Sequence, residues 1–258
     1  MPELLRCHVG GPVAQVRLNR PEVRNALNGD LIDQLRSTFE RLAGDPAVRA
    51  VVLSGEGKAF CGGADVAMMR ESLELTHEEN VAGARALSAM FRAIDGCPKP
   101  VIAKIQGAAL GGGAGLAAVC DVVIAAADAV FGFTEVKLGI IPAVISPFVL
   151  AKIGASHARA LFLTGERFDA KRAQAIGLVH EVVVADTLDV AIERVVSEVL
   201  SAGPSAIAAA KNFIARVRET PYDETLEITA GATAAQRVSD EGQEGLRAFL
   251  EQRPPGWK

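Results

Sequence analysis

Residues 107–115 read GAALGGGAG: small apolar residues run into three consecutive glycines, Gly111, Gly112 and Gly113, and then into a helical stretch. Backbone without Cβ atoms lets a ligand come close, and the free N–H groups at a helix start, reinforced by the helix dipole, favour negative charge. A carbonyl oxygen that gains charge fits such a place. Gly115, one helical turn beyond the middle glycine, brings no side chain to the same face.

Outward from this run, strands and helices alternate. A strand over 101–105, reached through Pro98 and Pro100, feeds the glycines. Near the start of the chain Ala14, Val16 and Leu18 alternate with Gln15 and Arg17, the pattern of a half-buried strand and the second of two short ones. Asn28 is a good N-cap for a helix in which Leu31, Leu35, Phe39 and Leu42 recur at helical spacing. An apolar strand over 50–53 enters SGEGKAFCGGAD, and a long helix is expected over about 81–94. Beyond the glycine run, 122–125 makes the next strand and 131–139 a loop or short strand bearing Glu135. Glycine turns after strands, with helices between, argue for an α/β architecture with right-handed crossovers. After about residue 145 helices dominate, broken by one strand near 178–184. Ile207, Ala210, Ile214 and Val217 form one helical stripe, and Ala248, Phe249 and Leu250 end another. The pattern divides the chain into an α/β core over 1–200 and a helical module over 201–258 that either makes subunit contacts or folds back as an ordinary core layer.

With 258 residues, half of them hydrophobic, the chain suffices for one compact core. Its 27 basic and 31 acidic residues leave a net charge of −4, which offers no broad footprint for nucleic acid or an anionic membrane. MPELLRCHVGG lacks an apolar stretch of signal-peptide length, and no window approaches the roughly 20 apolar residues of a membrane span, so a cytoplasmic protein is expected. Cys7, Cys61, Cys97 and Cys120 lack CxxC spacing, and His8, His77, His157 and His180 are dispersed, so neither a metal site nor a disulfide framework is expected. LGGGAGL does not fit the GxGxxG dinucleotide pattern. A second glycine turn, FCGGAD over 60–65, also follows an apolar strand and opens a helical stretch. Two such turns together place two backbone N–H groups around one oxygen, the requirement of an oxyanion hole.

In order along the chain, NRPEVRNALN, GEGKAFCGGADV, GAALGGGAGLAAVCDVVIA, FGFTEVKLGIIP and EGLRAFLEQR resemble the successive signatures of the enoyl-CoA hydratase/isomerase (crotonase) superfamily. The resemblance covers almost the whole sequence. It implies an α/β spiral core of repeated ββα units with a C-terminal helical module, an acyl-CoA substrate, no cofactor beyond the coenzyme A of that substrate, and a homotrimer or a pair of trimers. By position, the amides of Ala64 and Gly112, with Gly111 beside the latter, would hold the thioester oxygen as an enolate develops. Hydratases of the family use two glutamates: Glu135 matches the second, and the first position is Gly115. Glu135 is thus the expected general acid/base, its carboxyl desolvated among Phe133 and Val136 and raised in pKa toward neutrality.

The same resemblance lays coenzyme A along Ala64, Asp65, Val66 and Ala67; Arg24 and Lys58, basic side chains near the entrance, either meet its phosphates or are ordinary solvated charges. The C-terminal segment carrying Phe249 would contribute from a neighbouring subunit, with Gln252 where relatives have a lysine. Asp65 is expected to cap a helix, and Asp121 to fix backbone. Within 66–79, Met68 and Met69 suit an acyl chain, while Glu71, Glu74, His77 and Glu78 are candidates for a second acid or for recognising a polar tail. The stretch IIPAVISPFVLAKIG over 140–154, taken with Gly115, resembles bacterial hydratases of branched glutaconyl-CoA esters such as 3-methylglutaconyl-CoA. Hydration of a branched 2-enoyl-CoA is the leading expectation. One carboxyl must then do two jobs, which keeps a single-glutamate enoyl-CoA isomerase as the alternative. An acyl-CoA-binding or RNA-binding relative of weak activity is a further one, although the acidic charge opposes RNA.

Overall fold

The computed structural model describes residues 3–257. Among these residues, nine strands run in chain order as β1 (Leu5–Gly10), β2 (Val13–Leu18), β3 (Ala50–Gly55), β4 (Val101–Ile105), β5 (Ala108–Leu110), β6 (Val122–Ala126), β7 (Val130–Gly132), β8 (Arg167–Asp169) and β9 (Glu181–Val183). They form a six-stranded sheet in the order β1-β2-β3-β4-β6-β9 and a three-stranded sheet in the order β5-β7-β8. The large sheet is parallel from β2 onward, with only β1 antiparallel to its neighbour.

Ten α-helices among the described residues accompany them: α1 (Gly29–Gly44), α2 (Val66–Glu71), α3 (His77–Asp95), α4 (Gly112–Val119), α5 (Ser146–Thr164), α6 (Ala170–Ala175), α7 (Leu188–Ser201), α8 (Pro204–Glu219), α9 (Thr225–Val238) and α10 (Asp240–Leu250). After β4 the chain steps directly into β5 of the small sheet and then into α4, and after β6 it steps into β7 and on toward α5. This is the expected ββα repeat. The β3 unit follows the same path in reduced form, because its second strand is a single bridge residue, Cys61, paired with Ala109 before α2 begins.

The alternation and spacing seen in the sequence account for most of these elements. Asn28 accepts the Leu31 amide as N-cap of α1, whose Leu31, Leu35, Phe39 and Leu42 are buried. Helix α3 starts four residues before the expected 81, because Thr76 and Glu79 close a reciprocal capping box. The stretch 131–139 resolves into β7 and a short 3-10 helix, Glu135–Leu138. The strand near 178–184 is only β9, and from residue 204 to 250 the chain is nearly all helix. No helix among the described residues is long and apolar enough to cross a membrane.

Candidate active site

The two glycine turns are held side by side by strand pairing. Cys61 donates its amide to Ala108 O and accepts from Leu110 N, so the chain entering the first turn becomes a neighbour of β5 entering the second. Gly63, with φ +102, passes so near β5 that a Cβ on it would lie 2.9 Å from Leu110 O. Gly111, with φ +50, gives its amide to Gly132 O at the end of β7. Both turns thus need backbone that only glycine adopts without strain.

The chain closes on the first turn from the other side. Leu27 gives its amide to Gly63 O and accepts from Asp65 N, bracketing Ala64. Behind it stands Asn25, fully buried and itself left-handed at φ 55, with Nδ2 donating to Glu56 O and Ala59 O and Oδ1 accepting the Arg20 amide. Arg20 then pairs with Asp65 at 2.7 Å, both side chains nearly buried. Asp65 also caps α2 by accepting the Ala67 amide, the role expected of it. Burial opposes ionisation of Asp65, yet Arg20 and the α2 amides outweigh it and hold this carboxyl below its ordinary value.

Among the described residues no protein acceptor engages the amide of Ala64 or that of Gly112 at the start of α4. Both residues line one cavity of about 350 Å³, together with Glu135. Glu135 is positioned by what precedes it: Phe133 is fully buried, edge-on to Phe162 at 5.2 Å, and the chain then turns through Thr134 into the 3-10 helix ended by left-handed Gly139. The carboxyl points back at the second turn, since a Cβ on Gly111 would lie 3.3 Å from Glu135 Oε1. Among the described residues its Oε2 is buried without a hydrogen-bond partner. Burial raises the pKa of this carboxyl, against a smaller opposing contribution from its own amide.

Apart from Thr134, the remaining side chains of the cavity wall are apolar. Leu27, Met68, Met69, Leu87, Ile141 and Ile145 are among its residues, and Glu135 is its one ionisable group among the described residues. The methionines therefore stand where an acyl chain would lie. Glu74, His77 and Glu78 do not line it, and Glu71 lines a separate cleft with Arg20 and Asp30, so the 66–79 stretch brings no second acid. Cys61 is no nucleophile, because burial pushes its thiol up to about 12 despite the Gly63 amide.

On the far side of the first turn a second cavity of about 340 Å³ is lined by Glu22, Arg24, Ala64, Asp65, Val66 and neighbours. Gly62 and Ala64 belong to both walls, so the Ala64 amide sits where the two spaces meet. Arg24 lines this second cavity, and Ala67 faces the Arg20 cleft instead. Lys58 is exposed and lines neither cavity, its carbonyl packing against Gly107. Phe249, 81 % exposed on α10, lines neither. Asp121 fixes backbone as expected, accepting the Val101 amide, and also pairs with Lys211 of α8.

Gly115, the position of the family's first glutamate, does not line the cavity, because Ile145 of the segment ahead of α5 and Phe91 of α3 cover it. Gly115 therefore leaves no vacancy for a catalytic group. Ile145, Asn25 and Arg20 went unassigned in the sequence, although an asparagine inside the NRPEVRNALN loop is a type that tolerates left-handed backbone.

Known proteins place this arrangement. The enoyl-CoA hydratase/isomerase family matches residues 9–258. A crotonyl-CoA hydratase of Syntrophomonas wolfei is 35% identical over 243 residues, 93% of this chain and 92% of its own. Among solved structures, an enoyl-CoA hydratase from Shewanella pealeana superposes with a TM-score of 0.95 at 38% identity, covering 99% of this chain and 96% of the other. Pseudomonas aeruginosa AtuE does so at 0.95 and 37%, covering 99% of each. With its matched sequence, its ββα spiral and its paired glycine turns, the chain belongs to the enoyl-CoA hydratase/isomerase family.

Proposed function

We propose that the protein is an enoyl-CoA hydratase, adding water across the double bond of a 2-enoyl-CoA thioester. One observation carries this: two amides without a protein acceptor among the described residues, Ala64 and Gly112, and one buried carboxyl, Glu135, border a single largely apolar cavity. The acyl chain fills that cavity and the thioester oxygen sits between the two amides. Coenzyme A continues past Ala64 into the second cavity, where Arg24 is the nearby cation for its phosphates.

Ionised Glu135 takes a proton from water as the water oxygen adds to C3. The electrons of the double bond move toward the thioester oxygen, and the Ala64 and Gly112 amides stabilise the resulting enolate more than the neutral substrate. Protonated Glu135 then returns the proton to C2. A carboxyl raised by burial suits both halves, since it gives up and regains a proton nearer neutral pH. Incubation with crotonyl-CoA in ¹⁸O-labelled water tests the reading: the product gains one labelled oxygen. A protein that only shifts the double bond of a 3-enoyl-CoA, with no label taken up, is an isomerase instead.

The 3-methylglutaconyl reading of IIPAVISPFV has one supporting observation. No basic side chain lines the acyl cavity among the described residues, but Val144 and Ile145, both in its wall ahead of α5, have amides with no protein acceptor. A second carboxylate at the chain's far end would be met by such amides. Turnover of 3-methylglutaconyl-CoA at least as efficient as that of crotonyl-CoA supports it; turnover about a hundredfold lower assigns the cavity to uncharged chains. We further propose that residues 201–258 serve contacts between copies of the chain, in a trimer or a pair of trimers, consistent with the exposed Tyr222, Leu226, Val238, Phe249 and Leu250.

A further inference from the structure

Ile145 stands where any side chain on residue 115 would go. A Cβ on Gly115 would lie 3.0 Å from Phe91 Cζ and 3.2 Å from Ile145 Cβ, with Ile145 Cγ2 closer still. Phe91 has no room to give way, and Ile145 can yield only toward the cavity that it lines. Phe91 is fully buried in α3 and packs against Phe148 of α5 at 5.9 Å, while Ile145 is 3% exposed and immediately precedes α5. As a β-branched residue Ile145 has few alternative rotamers. Its other face is part of the cavity wall that Glu135 and Gly112 share.

We propose, on the basis of the acyl-CoA reading, that Ile145 determines acyl specificity by forming the wall over Gly115, and that Gly115 is its obligatory partner. The missing side chain at 115 and the isoleucine at 145 are then one exchange of volume between α4 and the segment before α5. Any side chain added at 115 drives Ile145 into the cavity, and any side chain removed at 145 enlarges it. Gly115→Glu on its own would therefore not install a second catalytic carboxyl.

The test compares wild type, Ile145→Ala, Gly115→Ala and the double variant. For each, kcat/KM is measured on crotonyl-CoA and on bulkier cinnamoyl-CoA, and dissociation constants on the unreactive butyryl-CoA and 3-phenylpropionyl-CoA. Ile145→Ala is expected to raise the cinnamoyl-to-crotonyl ratio about tenfold or more, the scale of hydrophobic pocket discrimination. Gly115→Ala lowers kcat/KM on both, and adding Ile145→Ala restores most of the loss, a coupling that only shared space produces. The dissociation constants follow the same order. An unchanged ratio in a folded Ile145→Ala protein, or additive effects in the double variant, overturns the proposal. If wild type hydrates neither substrate the hydratase reading fails, and the saturated acyl-CoA constants still decide the wall.

Discussion

The two glycine turns each present one amide to the same cavity and both need bare glycine backbone, yet what surrounds and supports them differs. The first, around Gly63 and Ala64, is fixed by polar groups: the Arg20–Asp65 pair, the Asn25 amide and the cap on α2. The second, around Gly111 to Gly115, is fixed by missing side chains, with Cys61 packed against Gly113 and Ile145 against Gly115. Equivalent amides thus come from a network that charge changes break and from a contact that a single methyl breaks. Their carboxyls differ in the same sense, since Asp65 is held ionised by partners whereas Glu135 is pushed toward its acid by burial.

The largest effect should come from the packed turn. A Cβ on Gly113 would lie 2.9 Å from Cys61 Cβ and collide with Cys61 O, so Gly113→Ala must pry the two turns apart. Denaturant unfolding should show a loss of about 3 kcal/mol, at the upper end of ordinary overpacking, with hydratase activity lost in step. At the polar turn, Asp65→Ala leaves Arg20 nearly buried without its partner and should cost about 2 kcal/mol. Arg20→Leu combined with Asp65→Ala should recover part of that. No recovery would mean that Asp65 acts only through its cap.

Smaller effects follow from pH, with opposite signs at the two turns. Asp65 has a lowered pKa, so its contribution to stability is present above the ordinary aspartate value near 4 and is lost as pH falls through its depressed one. Glu135 has a raised pKa, so burial favours its acid; that contribution is present below the ordinary glutamate value and is lost as pH rises through the raised one. Catalysis runs the other way, because the base must be ionised to activate water: kcat/KM should fall on the acid side around a pKa above the usual glutamate value. The smallest contrast separates two surface cations. Arg24→Ala should raise KM several-fold through the second cavity, while Lys58→Ala, lining neither cavity, should leave KM unchanged in steady-state assays.

The sequence made the strand-and-glycine order legible because each turn follows a short apolar strand and precedes a helix, a local pattern. Residues 107–115 thereby announced β5, the turn and α4, and Asn28 announced α1. What it hid was packing across distant segments. Nothing local to Gly115 tells that a residue thirty positions later covers it, and nothing local to Asn25 tells that its amide reaches Glu56 and Ala59. The start of α3 was missed for a different reason: a capping box set by Thr76 and Glu79 outweighed the weak apolar periodicity of the first turn.

At the centre of the account is a single buried carboxyl working against two backbone amides. Its most direct test is Glu135→Gln, which keeps the shape of the cavity, assayed for crotonyl-CoA hydration alongside butyryl-CoA binding. The account predicts a loss of about 10²- to 10⁴-fold in kcat with binding nearly unchanged. Turnover equal to that of the wild type would contradict it.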